Sequence, residues 1–232
     1  MELKDRIKQV QARIAAAALA AGRDPSEITL CAATKVQTDD TIRAAIAAGV
    51  TVCGENRVQE MTAHLAAGAY AGAKLHFIGH LQTNKVKQVV GKVALIHSVD
   101  SLHLLQAINA QAEKLGIVQD ILLEVNIGDE DSKSGFTPAE AMETAAHMSE
   151  YPRCHLTGLM AIPPISEKPG GNSKYFAEMR QLLVDITAKK YDNVDMVCLS
   201  MGMSDDYADA IAEGSTMIRV GTAIFGARNY NK

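Results

Sequence analysis

The sequence predicts a closed α/β barrel of eight parallel strands, (β/α)8, preceded by one extra helix. Three observations carry this. Eight short apolar or β-branched runs alternate with longer helical patterns, which implies a parallel sheet built from strand–helix units. Eight is also the number of strands that closes such a sheet on itself. Finally, 232 residues nearly match the roughly 250 that one barrel uses, so residues 1–232 read as a single domain. The alternative is an open doubly wound sheet. No GxGxxG follows the first strand, which lowers the nucleotide-binding form of that alternative.

Residues 2–21 mix charges with periodic apolar positions and read as a helix rather than a signal peptide. The Ala-rich part, 14–21, is too short to span a bilayer. ITLCAAT (28–34) is the first strand, and the helix at 38–48 is entered at Thr38-Asp39-Asp40. VTVC (50–53) precedes a helix at 55–67, and LHFIG (75–79) precedes one at 83–91. ALIHS (94–98) leads through Asp100-Ser101 into a helix at 101–115. QDILLEVN (119–126) is followed by a helix at 138–149, opened by Thr137 before Pro138. HLTGLMA (155–161) runs into the longest irregular stretch, 162–172, and then a helix at 172–189. DMVCLS (195–200) precedes a helix at 204–212 that starts at Ser204-Asp205-Asp206, and MIRV (217–220) is the eighth strand. Glycines at 22, 49, 116 and 214 follow helical patterns, as helix stops do.

Composition excludes several function classes. Twenty-three basic residues against 27 acidic ones give a net charge of −4, against a surface built for nucleic acid. Aromatics make up 4% of the chain and Trp is absent, so no base-stacking platform is available. Cys31, Cys53, Cys154 and Cys198 form no CxxC pair and sit in apolar runs, which reads as buried free thiols in a reducing compartment, the cytoplasm by default. The seven histidines show no HxxxH or HxH spacing, so no metal site is expected.

Barrel chemistry sits at the C-terminal ends of the strands. Lys35 follows an uncharged run, which leaves its stem in the barrel and its amine at the mouth. Desolvation there lowers an ammonium pKa, and a neutral amine is what Schiff-base formation needs. The bland alternative is a lysine that snorkels to solvent. Ser200-Met201-Gly202 and Gly221-Thr222 follow strands seven and eight, the usual phosphate site of this architecture, helped by the helix expected at Ser204. Ordinary turn chemistry is the competing account. Arg219 lies inside the last strand, as a ligand contact or as the partner of a carboxylate such as Glu124. A Schiff-base lysine beside a phosphate cradle suggests pyridoxal 5′-phosphate (PLP), or a phosphosugar held as an imine. Arginine is permanently protonated, and facing a pyridine nitrogen it can only donate, which damps carbanion chemistry. Asn56 is a candidate for the ring hydroxyl, with a helix cap as its alternative. His80 reads as a loop acid/base group or a solvated histidine. Met160, Met201 and Met203 could pack on a flat ring, though methionine also fills gaps.

HFIGHLQTNK (76–85), GENRVQE (54–60), NIGDEDSKSG (126–135), GLMAIPP (158–164) and LSMGMSDDYADAIAEGSTMIRVGTAIFGAR (199–228) together resemble the blocks of the PLP-homeostasis (YggS/PROSC) family, in order, over residues 28–228. The resemblance implies a barrel similar to the N-terminal domain of alanine racemase, with PLP bound covalently on Lys35. It implies that Ser200, Gly221 and Thr222 hold the phosphate with Gly202 nearby, that Arg219 faces the ring nitrogen, and that Asn56 and Met201 line the ring. It further implies a carrier or buffer that delivers PLP to apo-enzymes, without efficient turnover, while the lack of a swapped second domain reads as a monomer. The runner-up is a weak racemase-like enzyme, and a Schiff-base aldolase is third. Alanine racemase takes a second acid/base tyrosine from a separate domain of its partner; Tyr207 and Tyr230 are the only candidate substitutes here, late in the chain and without supporting context. The family's Thr-Lys-Pro-like stretch after the lysine is Val36-Gln37-Thr38 here, and an aromatic before HFIG is Leu75. Lys133 matches a lysine suspected of accepting released PLP.

Overall fold

The computed structural model describes residues 1–128, 134–164, 166, 168 and 170–226. Among these, eight strands run in chain order around a closed parallel barrel: β1 (Thr29–Ala33), β2 (Val52–Glu55), β3 (Lys74–Phe77), β4 (Leu95–Val99), β5 (Gln119–Val125), β6 (Cys154–Ala161), β7 (Val194–Ser200) and β8 (Met217–Val220). β8 closes onto β1 in the register Thr29↔Met217 to Ala32↔Val220. The helices are α1 (Leu3–Ala20), α2 (Asp39–Ala47), α3 (Val58–Ala66), α4 (Leu102–Leu115), α5 (Pro138–Ala146), α6 (Ser173–Lys189), α7 (Tyr207–Ala212) and α8 (Thr222–Phe225).

Strands buried on both faces need apolar side chains at nearly every position, and β4 (LIHSV) and β8 (MIRV) are buried throughout. The two faces form two cores. Cys31, Val52, Leu95, Leu122, Met160, Cys198 and Met217 fill the barrel interior. Ile42, Met61, Leu105, Phe176 and Leu199 belong to the larger layer between barrel and helices. The inner cluster plugs the middle of the barrel, so a ligand can enter only at a mouth. α1 buries Ile7, Val10 and Ile14 along one stripe, each side chain worth about 1.5–3 kcal/mol, and packs on α2, α7 and α8.

The expected caps form at three helices. Thr38 accepts from Thr41 N, Ser101 from Leu104 N, and Thr137 makes a reciprocal capping box with Glu140. All four cysteines are buried and free. No described helix is long and apolar enough to cross a membrane.

Elsewhere the structure corrects the expectation. Residues 83–91 contain a 3-10 helix, Thr83–Gln88, not an α-helix. Val86, Val89 and Val90 are all buried there, and β-branched residues crowd an α-helical turn. α3 begins at Val58 because Glu55 still belongs to β2. α7 begins at Tyr207, because Asp206 Oδ1 accepts from Met203 N at 2.7 Å and holds residues 203–206 in a turn. The short α8 after Gly221 was not expected.

Candidate functional site

The turn after β1 is clamped on both sides of Lys35. Thr34 Oγ1 donates to Glu55 Oε1 at 2.6 Å, and Tyr70 donates to the same oxygen at 2.9 Å. Burial pushes the Glu55 carboxyl up, against those two donors. On the other side, Val36 N donates to Glu60 Oε2 at 2.8 Å. Val36 has φ +63°, a left-handed conformation that costs a β-branched residue free energy. Lys35 is half-buried and faces a cavity of about 440 Å³ at the barrel mouth.

Lys35, Asn56, Arg219, Gly221 and Thr222 all border this cavity, drawn from the ends of β1, β2 and β8. Ile78, Met203 and Phe225 give it an apolar side, and Glu124 and His80 a second polar one. Gly79 allows the end of β3 to lie against β2: a Cβ there would sit 2.2 Å from the Asn56 carbonyl oxygen. One side-chain atom of Asn56, Oδ1, is buried with no partner among the described residues, and Asn56 is not a helix cap, since Arg57 holds that position.

Ser200, Met201 and Gly202 do not border the cavity. Ser200 is fully buried, and its hydroxyl already accepts from Arg219 Nη1 at 2.7 Å. Met201 is packed in the layer outside the barrel. Gly202 has φ +91° and lies against α7, where a Cβ would stand 2.6 Å from Ala210 Cβ. Its carbonyl accepts from Arg219 N at 3.0 Å. In this segment the hydroxyl that reaches the cavity is that of Ser204, whose Oγ accepts from Ala223 N in α8 at 3.4 Å. Ser204 thus joins Gly221 and Thr222 in one cradle. The sequence signal was present in SMGMS, but nothing in it distinguishes the two serines until β7 is seen to point Ser200 inward. Met203, not Met160 or Met201, is the methionine in the wall.

Arg219 is buried and held by protein oxygens: Nη1 donates to Ser200 O at 2.8 Å as well as to its hydroxyl, and Nη2 donates to Ala161 O at 2.9 Å. Burial pushes its pKa down, while Cys31 and Glu124 push the other way. No ion pair links Arg219 to a carboxylate among the described residues; Glu124 acts on it at longer range. Burial lifts the Glu124 carboxyl to about 7, with Asp100 adding and Arg219 opposing. His80 is exposed, and its Nδ1 lies 3.0 Å from Asp100 Oδ2. Burial pushes the Cys31 and Cys198 thiols up to about 12, so neither is a nucleophile. No cluster of three or more metal-ligating side chains occurs among the described residues. Lys133 and Tyr230 lie outside the described residues.

The arrangement offers one amine, one buried guanidinium, and hydroxyls and glycine amides gathered on two adjacent loops. That set suits a flat, anionic carbonyl compound. Residues 7–229 match the family described as alanine racemase, N-terminal domain. A pyridoxal phosphate homeostasis protein of Aquifex aeolicus is 43% identical over 230 residues, covering 99% of this chain and 100% of that protein. The solved structure of PipY from Synechococcus elongatus PCC7942, with PLP bound, superposes with a TM-score of 0.84 at 30% identity, covering 97% of this chain and 100% of that one. An alanine racemase of Clostridium difficile shares the fold, with a TM-score of 0.74 at 15% identity; the match covers 98% of this chain and 58% of the racemase.

Proposed function

The chain belongs to the pyridoxal phosphate homeostasis family, and from that premise we propose that it binds PLP at the barrel mouth, covalently through Lys35, and serves as a PLP carrier or buffer. The observation that carries this is the convergence of Lys35, Arg219 and the Ser204/Gly221/Thr222 cradle on one cavity. The donor set fits the cofactor. Ser204, Gly221 and Thr222 would hold the phosphate. Arg219 would donate to the ring nitrogen, and the unpartnered Asn56 Oδ1 would accept from a donor on the ring. Bound PLP supplies an electrophilic carbonyl carbon and an aromatic electron sink. The protein's own part is to hold and to restrain. Arg219 cannot give up its proton to the ring nitrogen, so the sink stays weak. Ser200 and Gly202 contribute from behind, by fixing Arg219, and Met201 contributes packing.

A carrier without efficient turnover is favoured over a racemase-like enzyme. Tyr207, one of two tyrosines available to replace the racemase's acid, is packed in the outer core away from the cavity. Recipients are apo-forms of PLP-dependent enzymes. The test is to mix PLP-loaded protein with such an apo-enzyme and follow recovered activity, alongside an equal concentration of free PLP. Faster recovery than with free PLP supports delivery, whereas recovery no faster leaves only buffering. Arg219→Ala should weaken PLP retention or displace its absorbance band; an unchanged affinity and spectrum would put Arg219 elsewhere.

A further inference from the structure

A column of buried polar groups runs through the barrel from Arg219, and the proposed binding chemistry leaves its two histidines, His76 and His97, without a role. His76 Nδ1 lies 3.0 Å from His97 Nε2, and His97 Nδ1 lies 3.0 Å from Ser200 Oγ. Ser200 Oγ in turn lies 2.7 Å from Arg219 Nη1. The four residues come from β3, β4, β7 and β8. His97 and Ser200 are fully buried, and His76 and Arg219 are 5% exposed.

From this geometry we infer that His97 and His76 are positioning residues for Arg219, acting through a one-way chain of donors that runs Arg219→Ser200→His97→His76. The direction follows from elementary chemistry. A guanidinium only donates, so Ser200 Oγ must accept from it. The serine hydrogen then needs an acceptor, and His97 Nδ1 is the acceptor in reach. If His97 Nδ1 carried hydrogen instead, a fully buried hydroxyl hydrogen would have no partner among the described residues, which costs about 1–3 kcal/mol. With Nδ1 accepting, neutral His97 carries its hydrogen on Nε2 and gives it to His76 Nδ1. His76 is then fixed in the same tautomer. Burial favours neutral rings at both positions. It lowers His76 to about 4 and drives His97 well below the ordinary histidine range, with His76 and then Arg219 adding to the shift.

The consequence lies at the ligand. Ser200 uses both its carbonyl and its hydroxyl to hold Nη1, and Ala161 O holds Nη2. The plane of the guanidinium is set before any ligand arrives, and the chain beyond Ser200 keeps that hydroxyl turned to accept. Preorganisation of this kind keeps a buried cation oriented without a carboxylate that would neutralise it.

This inference rests on the proposed PLP site for its ligand readout but not for its structural one, so two arms test it. In the ligand-free protein, nitrogen-15 NMR of histidine-labelled chains should give His97 and His76 a bare Nδ1 and a protonated Nε2 around neutral pH. In the second arm, His97→Leu removes the acceptor at similar volume. It should weaken PLP binding about tenfold, the worth of one buried hydrogen bond, and displace the absorbance maximum of the bound cofactor. His97→Asn, whose Oδ1 can accept from Ser200, should restore both. A hydrogen on His97 Nδ1 would overturn the inference. So would His97→Leu with the wild-type affinity and spectrum, or equal impairment of the Leu and Asn variants, which would reduce His97 to packing. If the variants do not fold, the NMR arm decides alone. If the wild-type protein takes up no PLP, the proposed function falls, and the tautomers still decide the chain.

Discussion

Glu124 faces the cavity with its carboxyl raised from 4.5 to about 7, chiefly by burial. The folded state therefore keeps a proton that the unfolded chain releases above about 4.5. The stability linked to that proton is complete below 4.5 and is lost as pH rises through 7. Glu124→Gln should leave stability nearly unchanged at pH 5 and raise it at pH 8 by about 1–2 kcal/mol, roughly half the full linkage value to allow for solvent at the cavity mouth. Urea unfolding at the two pH values checks this, and an equal effect at both would mean the shift is absent. Lys35, Asn56, Gly221 and Thr222 could be picked from the sequence as polar or small residues just past an apolar strand, and Arg219 as a charge inside one, each against an ordinary alternative that only the convergence on one cavity outweighs. Ser200 could not be told from Ser204 in this way. Ser200 ends β7 and Ser204 follows it, and only the competing demand of buried Arg219 for an acceptor decides between them. The column of His76 and His97 was equally hidden, since a histidine in an apolar strand says nothing about which face it occupies.

At the level of elements, the loop between β7 and α7 depends on Gly202. Its φ of +91° and the contacts its Cβ would make with Ala210 and Tyr207 leave no room for a side chain. Gly202→Ala should cost about 2–4 kcal/mol, combining backbone strain with overpacking. It should also loosen Arg219, whose backbone N donates to the Gly202 carbonyl. Chemical denaturation measures the first effect, PLP titration the second. A variant as stable as wild type would mean that the loop relaxes freely. The eight strands were legible because short apolar runs bounded by polar turns have no other stable use in a barrel. The 3-10 segment Thr83–Gln88 and the four-residue α8 were not. Both are shorter than the window over which helical periodicity can be counted.

Across the whole molecule the barrel has its shortest strand register at the β7–β8 seam. β7 and β8 share a single register pair, Ser200↔Met217, where β5 and β6 share seven. Ser215 Oγ, within 3.1 Å of the Leu199, Met201 and Met217 carbonyls, helps to hold the gap. The proposed ligand bridges this seam, because Ser204 follows β7, Gly221 and Thr222 follow β8, and Lys35 follows β1 across the closure. PLP at 100 times its dissociation constant would stabilise the fold by about 2.7 kcal/mol. Hydrogen exchange should therefore slow on PLP binding at residues 199–204 and 217–226 more than in β4 and β5. Slowing confined to other strands would place the ligand elsewhere.

The account as a whole turns on which atom holds the cofactor. Loading the full chain with PLP, reducing it with borohydride and mapping the digested peptides tests that directly. A pyridoxyl group on the peptide carrying Lys35, and its loss in Lys35→Ala with the fold retained, is the predicted result. A label on another lysine, or no label on a protein that has taken up PLP, would contradict it.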